Sequence, residues 1–208
     1  MRGRSDLTVF VIDDDVDMAE SICALAKSVG LAAVAYSSAE MFFEHEDPQA
    51  HGCAVIDLRM DGMTGIQMIE TMRAEGYELP FILLTAFAEV SVAVKAMHLN
   101  AVDVLEKPAD PGLLIERIRD AIELDITRKA KRTSESHIQK LFNLLSAREL
   151  QALKLLVNGL SSKQMAAAMG IAHKTVEKHR TSLMKKLQVA NATELVRLTL
   201  DNRSLLKI

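Results

Sequence analysis

The sequence predicts a doubly wound α/β domain, built on a five-stranded parallel sheet in the order 2-1-3-4-5, followed by an all-α helix-turn-helix domain of four helices. Three observations predict it. Residues 7–124 alternate short apolar runs with amphipathic stretches five times, the pattern of βα units over a sheet covered on both faces. Residues 145–208 show helical spacing alone, punctuated by glycines. Charge is also split: residues 1–124 hold 22 acids against 9 bases, and residues 125–208 hold 6 against 16. A chain of 208 residues suits two small domains better than one.

Residues 7–12 read as the first strand, and 17–29 as a helix with Met18, Ile22, Leu25 and Val29 inward. Residues 31–36 form the second strand, after which Ser38 caps a short helix reaching Glu46. The run 53–56 is wholly apolar, as a strand buried on both faces must be, and it leads directly into Asp57. Residues 64–75 make a helix with Ile66, Ile69 and Met72 inward, 81–84 a strand, 89–99 a helix and 102–105 the fifth strand. Asp110 then caps a helix carrying Leu113, Leu114, Ile118 and Ile122. Met18, Met41, Met68, Met72, Met97, Met165 and Met169 stand at inward helical spacing and read as core filler.

Residues 125–144 are polar and basic, without strong periodicity before Ile138 and without Pro or Gly. They read as a linker, either a helical continuation or a flexible tether. Ser146 caps the next helix, with Glu149 at the capping-box position and Leu150, Leu153 and Leu156 inward, and Gly159 ends it. A short helix spans 163–169, a turn follows at Gly170, and helices over 173–187 and 192–203 complete the domain. Two helices joined by a tight glycine turn are a helix-turn-helix. Val176, Leu183 and Leu187 point inward on the second of them, leaving Lys174, Glu177, Lys178, Thr181 and Lys185 outward, where they can meet phosphates and base edges.

The polar residues at strand ends carry the chemistry. Asp13 and Asp14 follow strand one, Asp57 strand three, Thr85 strand four and Lys107 strand five, all on one edge of one sheet. In this strand order, strands one and three meet at the switch point, so the three acids converge. A lone aspartate after a strand is ordinarily a turn or cap residue. Clustered carboxylates instead repel one another unless a cation joins them, and a hard oxygen donor set suits Mg²⁺. Lys107 and Thr85 then face the same point as a positive charge and a hydroxyl donor, both suited to a phosphoryl group.

Composition excludes several classes. An apolar fraction of 49% rules out wholesale disorder, and no run approaches the ~18 apolar residues of a membrane span. The polar N-terminus carries no secretory core, so a soluble cytoplasmic protein without membrane association is expected, and Cys23 and Cys53 read as buried thiols. The basic half suits nucleic acid, although a basic helix can also be merely a solvated face. His173 and His179, six residues apart, are poorly placed to ligate a metal together.

Residues 7–124 resemble the receiver domain of two-component response regulators, on the acidic pair Asp13/Asp14 followed by Asp57, Thr85 and Lys107. Asp57 stands 43 residues after Asp14, Thr85 another 28 on, and Lys107 another 22 on. The resemblance implies that Asp57 accepts a phosphoryl group from a histidine kinase. It implies Mg²⁺ held by Asp13, Asp14, Asp57 and the backbone carbonyl of Arg59. It also places Thr85, Ala86, Val104 and Lys107 around the phosphoryl group and its switch, with a cis Lys107-Pro108 bond. From Leu145 the chain resembles the LuxR-type DNA-binding domain of FixJ-like transcription factors. That likeness is carried by residues 145–149, 159–164, 175–180 and 184–187 and implies contact with double-stranded DNA. The implied contacts are Lys163, Lys174, Thr175, Glu177, Lys178, His179, Arg180, Thr181 and Lys185. Glu177 either accepts from a cytosine amino group or holds Lys174 and Lys178 in position.

Three residues depart from the receiver pattern: Asp61 where proline is usual, Ala109 where phenylalanine is common, and Val104 where an aromatic switch residue stands. The expectation is a receiver over 1–124, a linker over 125–144 and a DNA-binding domain over 145–208, forming a homodimer on phosphorylation. Such a protein is a phosphoprotein regulator of transcription. It is not an enzyme, beyond accepting the phosphoryl group and releasing it again. A phosphatase-like enzyme using Asp57 as nucleophile leaves the basic half without a role. A phosphorylation-independent DNA-binding regulator with a degenerate receiver is the other alternative.

Overall fold

In a computed structural model, which describes residues 7–87 and 90–206, the N-terminal half is a five-stranded parallel sheet in the order β2-β1-β3-β4-β5. The strands are β1 Thr8–Ile12, β2 Ala32–Tyr36, β3 Gly52–Asp57, β4 Phe81–Thr85 and β5 Asp103–Glu106. The helices between and after them are α1 Val16–Ser28, α2 Ala39–His45, α3 Gly65–Ala74, α4 Val90–His98 and α5 Pro111–Asn143. The predicted start of α4 at Glu89 lies outside the described residues. Every residue of β3 is buried, as the unbroken apolar run requires.

Alternation along the strands divides the core. Phe10, Ile12, Ala54 and Ile56 meet Phe42 of α2, Met68, Ile69 and Met72 of α3, and Ala96 of α4. Val9, Val11, Cys53 and Val55 meet Ile22, Cys23 and Ala26 of α1 and Leu114, Ile118 and Ile122 of α5 on the other face. Cys23 and Cys53 are free and buried. Two methionines correct the reading of all seven as core: Met41 is 41% and Met97 55% exposed. Both lie on the outer side of short, surface helices, where helical spacing alone does not distinguish the stripe from its edge. Val29, at the end of α1, is likewise exposed.

Two glycines fix the ends of β3. Gly52 has φ +129°, and a Cβ there would stand 1.9 Å from the Thr8 carbonyl oxygen. A Cβ on Gly65 would stand 2.3 Å from the Asp57 carbonyl oxygen, so only glycine lets α3 begin directly behind Asp57. Ser38 and Asp110 cap as the sequence predicts, Ser38 accepting from Met41 N–H and Asp110 from Leu113 N–H; Thr64, read as the first residue of its helix, is instead the cap of α3, in a capping box with Gln67.

The chain divides into two compact units, Met1–Lys129 and Ala130–Ile208. The stretch 125–143, read from sequence as linker, is helical as the end of α5. Its first turn belongs to the first unit: buried Asp125 accepts from Gly52 N–H at 3.1 Å, and Lys129 donates to the Ala50 carbonyl at 2.6 Å. Asp125 continues the inward stripe of Ile118 and Ile122, a spacing that marks it as a core-facing acid.

The second unit packs Leu141 and Phe142 of α5 with α6 Ala147–Val157, α7 Ser162–Met169, α8 His173–Lys186 and α9 Ala192–Asp201, and a 3₁₀ turn at Arg203–Leu206 follows. Its core holds Leu153, Leu156, Met165, Met169, Val176, Leu183, Leu187 and Leu195. Gly170, at φ +65°, supplies the left-handed cap between α7 and α8. Ser146 caps α6 and Ser161 caps α7, each in a reciprocal capping box with Glu149 and Gln164.

Candidate functional site

The carboxyl edge of the sheet gathers the predicted residues. Asp13 at the end of β1 and Asp57 at the end of β3 are buried, and Asp14 is exposed. One carboxylate oxygen from each lies within 4.8 Å of the others. Lys107 reaches in from the end of β5, its Nζ 2.6 Å from Asp13 Oδ2 and 2.7 Å from Asp57 Oδ1. The Lys107-Pro108 peptide is cis. Arg59 N–H donates to Asp57 Oδ2 at 3.0 Å, and Asp61 N–H to Asp14 Oδ2 at 2.9 Å, so the loop after β3 folds back over the acids. The departure at Asp61 therefore keeps a backbone donor that proline lacks, and that donor is used.

Three carboxylates against one ammonium leave the cluster short of positive charge. Burial pushes the Asp13 carboxyl up, against the opposing pull of Lys107 and the Asp15 N–H. Burial would lower Lys107, but its hydrogen bonds to Asp13 and Asp57 outweigh this and hold the ammonium charged above its usual range. An all-oxygen donor set with one exposed, solvent-facing member fits a hard divalent cation.

Thr85 ends β4 beside β5, its carbonyl accepting from Lys107 N–H at 2.7 Å, but its side chain is turned to the following loop rather than bonded to the acids or Lys107. Its hydroxyl donates to the Phe87 carbonyl at 2.8 Å and accepts from Phe87 N–H at 3.2 Å, which ties it to the exposed 86–87 turn. Val104 sits on β5 opposite Leu83, half-buried against the core.

In the second unit, Lys163, Lys174, Lys178, Thr181 and Lys185 are exposed, while Thr175, Glu177, His179 and Arg180 are half-buried. Thr181 spends its hydroxyl on the Glu177 carbonyl at 3.0 Å. Glu177 pairs with Arg180 at 3.3 Å and His173 at 4.0 Å, and not with Lys174 or Lys178, which was one of the two roles the sequence left open for it. Arg180 also donates to the Ser162 hydroxyl, joining α8 to α7. Glu149, a capping residue by its spacing, does more than cap α6. The buried carboxylate also accepts from Ser182 at 2.6 Å and Lys186 at 2.7 Å, pinning α6 to α8. Burial alone would raise its pKa, but Lys186, Ser182 and Ser146 bring it down to about 2.

A parallel sheet with an acid cluster and a lysine at its carboxyl edge, followed by a helix-turn-helix unit, is the architecture of a two-domain regulator. The comparisons agree. Residues 9–119 match the response regulator receiver domain, and residues 143–199 match the luxR family of bacterial regulatory proteins. The transcriptional regulatory protein FixJ of Azorhizobium caulinodans is 38% identical over 194 residues, covering 93% of this chain and 92% of that protein. Nodulation protein W of Bradyrhizobium diazoefficiens is 34% identical over 92% of this chain and 84% of its own length. The solved response regulator StyR superposes with a TM-score of 0.88 at 36% identity, covering 94% of this chain and 99% of its own. Full-length FixJ from B. japonicum superposes with a TM-score of 0.59 at 33% identity, covering 96% and 98%. The chain belongs to the FixJ-like response regulators, which carry a receiver domain followed by a LuxR-type DNA-binding domain.

Proposed function

We propose that Asp57 accepts a phosphoryl group from a partner histidine kinase, and that this modification switches dimerisation and the control of transcription through DNA binding. The observation that carries the reading is the bridge from Lys107 Nζ to both Asp13 and Asp57 within a cluster of three acids. A buried carboxylate at a sheet edge, with an ammonium on one oxygen, supports a role as the nucleophile toward phosphorus.

In that reaction an Asp57 oxygen forms a bond to phosphorus as the bond from phosphorus to the kinase imidazole nitrogen breaks. The electron pair of the broken bond stays with the imidazole. Asp13, Asp14, Asp57 and the Arg59 carbonyl would hold Mg²⁺, which supplies charge neutralisation to the transferring group when bound. Lys107 moves its contact from the Asp57 carboxylate to a phosphoryl oxygen, and the Arg59 N–H keeps the acceptor oriented. The Thr85 hydroxyl exchanges the Phe87 carbonyl for the phosphoryl group and so reports its arrival. Lys163, Lys174, Thr175, Lys178, His179 and Lys185 offer α7 and α8 a basic surface for phosphates, with α8 in the major groove.

Incubation with acetyl phosphate and Mg²⁺ followed by intact-mass measurement tests the acceptor. One phosphoryl group is expected on the wild type and none on Asp57→Asn. Equal uptake by the Asn variant, or uptake unchanged by chelation of Mg²⁺, contradicts the assignment.

A further inference from the structure

Each acid of the cluster carries a backbone N–H on one oxygen. Asp13 Oδ1 accepts from Asp15 N–H and Asp57 Oδ2 from Arg59 N–H, each at 3.0 Å and each from a donor two residues further along the same stretch. Their other oxygens meet Lys107. Asp14 differs on both counts. Lys107 bonds the other two acids and not this one, and its donor is Asp61 N–H, 2.9 Å from Oδ2 and 47 residues away on the loop after β3. An exposed carboxylate without such a donor is free to turn among its rotamers in water.

Packing fixes that donor. Met60 is buried in the core on one side of Asp61, and Leu58 and Met63 lie half-buried against it, while Asp61 itself is exposed. Leu58 N–H donates to the Leu84 carbonyl at 2.8 Å and Gly65 N–H to the Leu58 carbonyl at 3.0 Å, which closes the loop at its base. The apolar anchors therefore set the direction of the residue 61 N–H, and the side chain of that residue does not. Any amino acid except proline supplies the donor.

We propose that the Asp61 backbone N–H is a positioning group for the cation site: it holds the Asp14 carboxylate beside Asp13 and Asp57, in the arrangement a shared divalent cation needs. The inference rests on the reading of the acid cluster as the Mg²⁺ site of the proposed phosphoryl transfer. A carboxylate held by a hydrogen bond before the metal arrives loses less freedom on binding it, and a bond to an ionised acceptor is of the stronger kind. The loop after the acceptor strand thus tunes the affinity of the site through its backbone. The departure from proline at residue 61 is what gives this chain the device.

Titration of the isotope-labelled full-length protein with MgCl₂, followed by NMR through its backbone amide signals, tests this without phosphorylation. Asp61→Ala and Asp61→Pro both lose the carboxylate, but the proline variant also loses the N–H, so comparing the two isolates the donor. The Mg²⁺ dissociation constant is expected to be on the order of tenfold higher for Asp61→Pro than for Asp61→Ala. In the metal-free wild type the Asp61 amide proton should resonate downfield, as a donor to a carboxylate does, and Asp14→Ala should move it upfield. That second readout stands even if the proline variant does not fold. Equal dissociation constants in the two Asp61 variants, or an Asp61 amide that ignores Asp14→Ala, overturn the proposal. A wild type whose amides around the acids do not respond to MgCl₂ overturns the metal reading beneath it, a result distinct from equal affinities.

Discussion

At the scale of single residues, Thr85 and Val104 divide the work of signalling unequally. The Thr85 hydroxyl makes a reciprocal pair of hydrogen bonds with Phe87, so a change of partner at the hydroxyl must release that turn. Val104 has no ring to swing, its β-branch restricts χ1, and it packs half-buried against the core. Thr85→Ala should therefore accept phosphate on Asp57 yet show no phosphate-dependent change in sedimentation, while Val104→Ala should change as the wild type does. Loss of the response in a folded Val104→Ala protein would make valine the switch. Asp125 carries a different kind of prediction, because its removal leaves the buried Gly52 N–H without its acceptor. Asp125→Ala should cost about 1–3 kcal/mol of stability. Tyr36 and Tyr77 are the chain's two tyrosines, with no tryptophan, so tyrosine fluorescence during urea unfolding reports the first unit alone. Unfolding of this variant at the wild-type urea midpoint would contradict the role given to Asp125.

At the scale of elements, the second unit depends on the joint between α6 and α8 at Glu149. Its carboxyl is depressed from an ordinary 4.5 to about 2. A depressed carboxyl contributes stability that is fully present above the unfolded value and lost as pH falls through the folded one. The contribution is about 3 kcal/mol at neutral pH by linkage, and it disappears between about pH 5 and 2. Glu149→Gln should thus lower helical stability at pH 7, read by circular dichroism, and flatten the acid dependence across that window. A variant with the same acid profile as the wild type would contradict this. The strands and the caps at Ser38 and Ser146 were legible in the sequence because each is written locally: β3 in its apolar run, α2 in Ser38, α6 in Ser146 and Glu149. The acid cluster was legible because every strand of this topology delivers its end to one edge, which brings Asp13, Asp57 and Lys107 together. What escaped depends on pairs distant in sequence. Asp125 meets Gly52, Glu149 meets Ser182 and Lys186, and Arg180 meets Ser162, each fixed by packing rather than by spacing. The exposure of Met41 and Met97 escaped for the same reason, since periodicity places a residue on a stripe but not under a neighbour.

At the scale of the whole molecule, the two halves carry opposite charge for different partners, with 22 acids against 9 bases before residue 125 and 6 against 16 after it. Full-length protein should bind duplex DNA with an affinity that falls steeply with salt, by a log–log slope of roughly −0.9 for each phosphate neutralised. Lys178→Ala should shallow that slope by about one contact, and a slope unchanged by this substitution would remove Lys178 from the interface. A single helix-turn-helix reads a short half-site, so tight specific binding calls for two copies on a two-fold site. No helix among the described residues is long and apolar enough to cross a membrane, and the expected dimer contact falls on α4, where Val90, Val94 and Met97 are exposed. Because Val104 removes one of the two usual coupling groups, the expected shift toward dimer is partial. Sedimentation velocity of the full chain, with and without acetyl phosphate and Mg²⁺, measures the coupling of Asp57 to assembly most directly. The 22.9 kDa monomer is expected to move part-way to twice that mass when phosphorylated, and the Asp57→Asn protein to stay at 22.9 kDa under both conditions. An unchanged mass for the phosphorylated wild type, or an equal shift in the Asn variant, would contradict it.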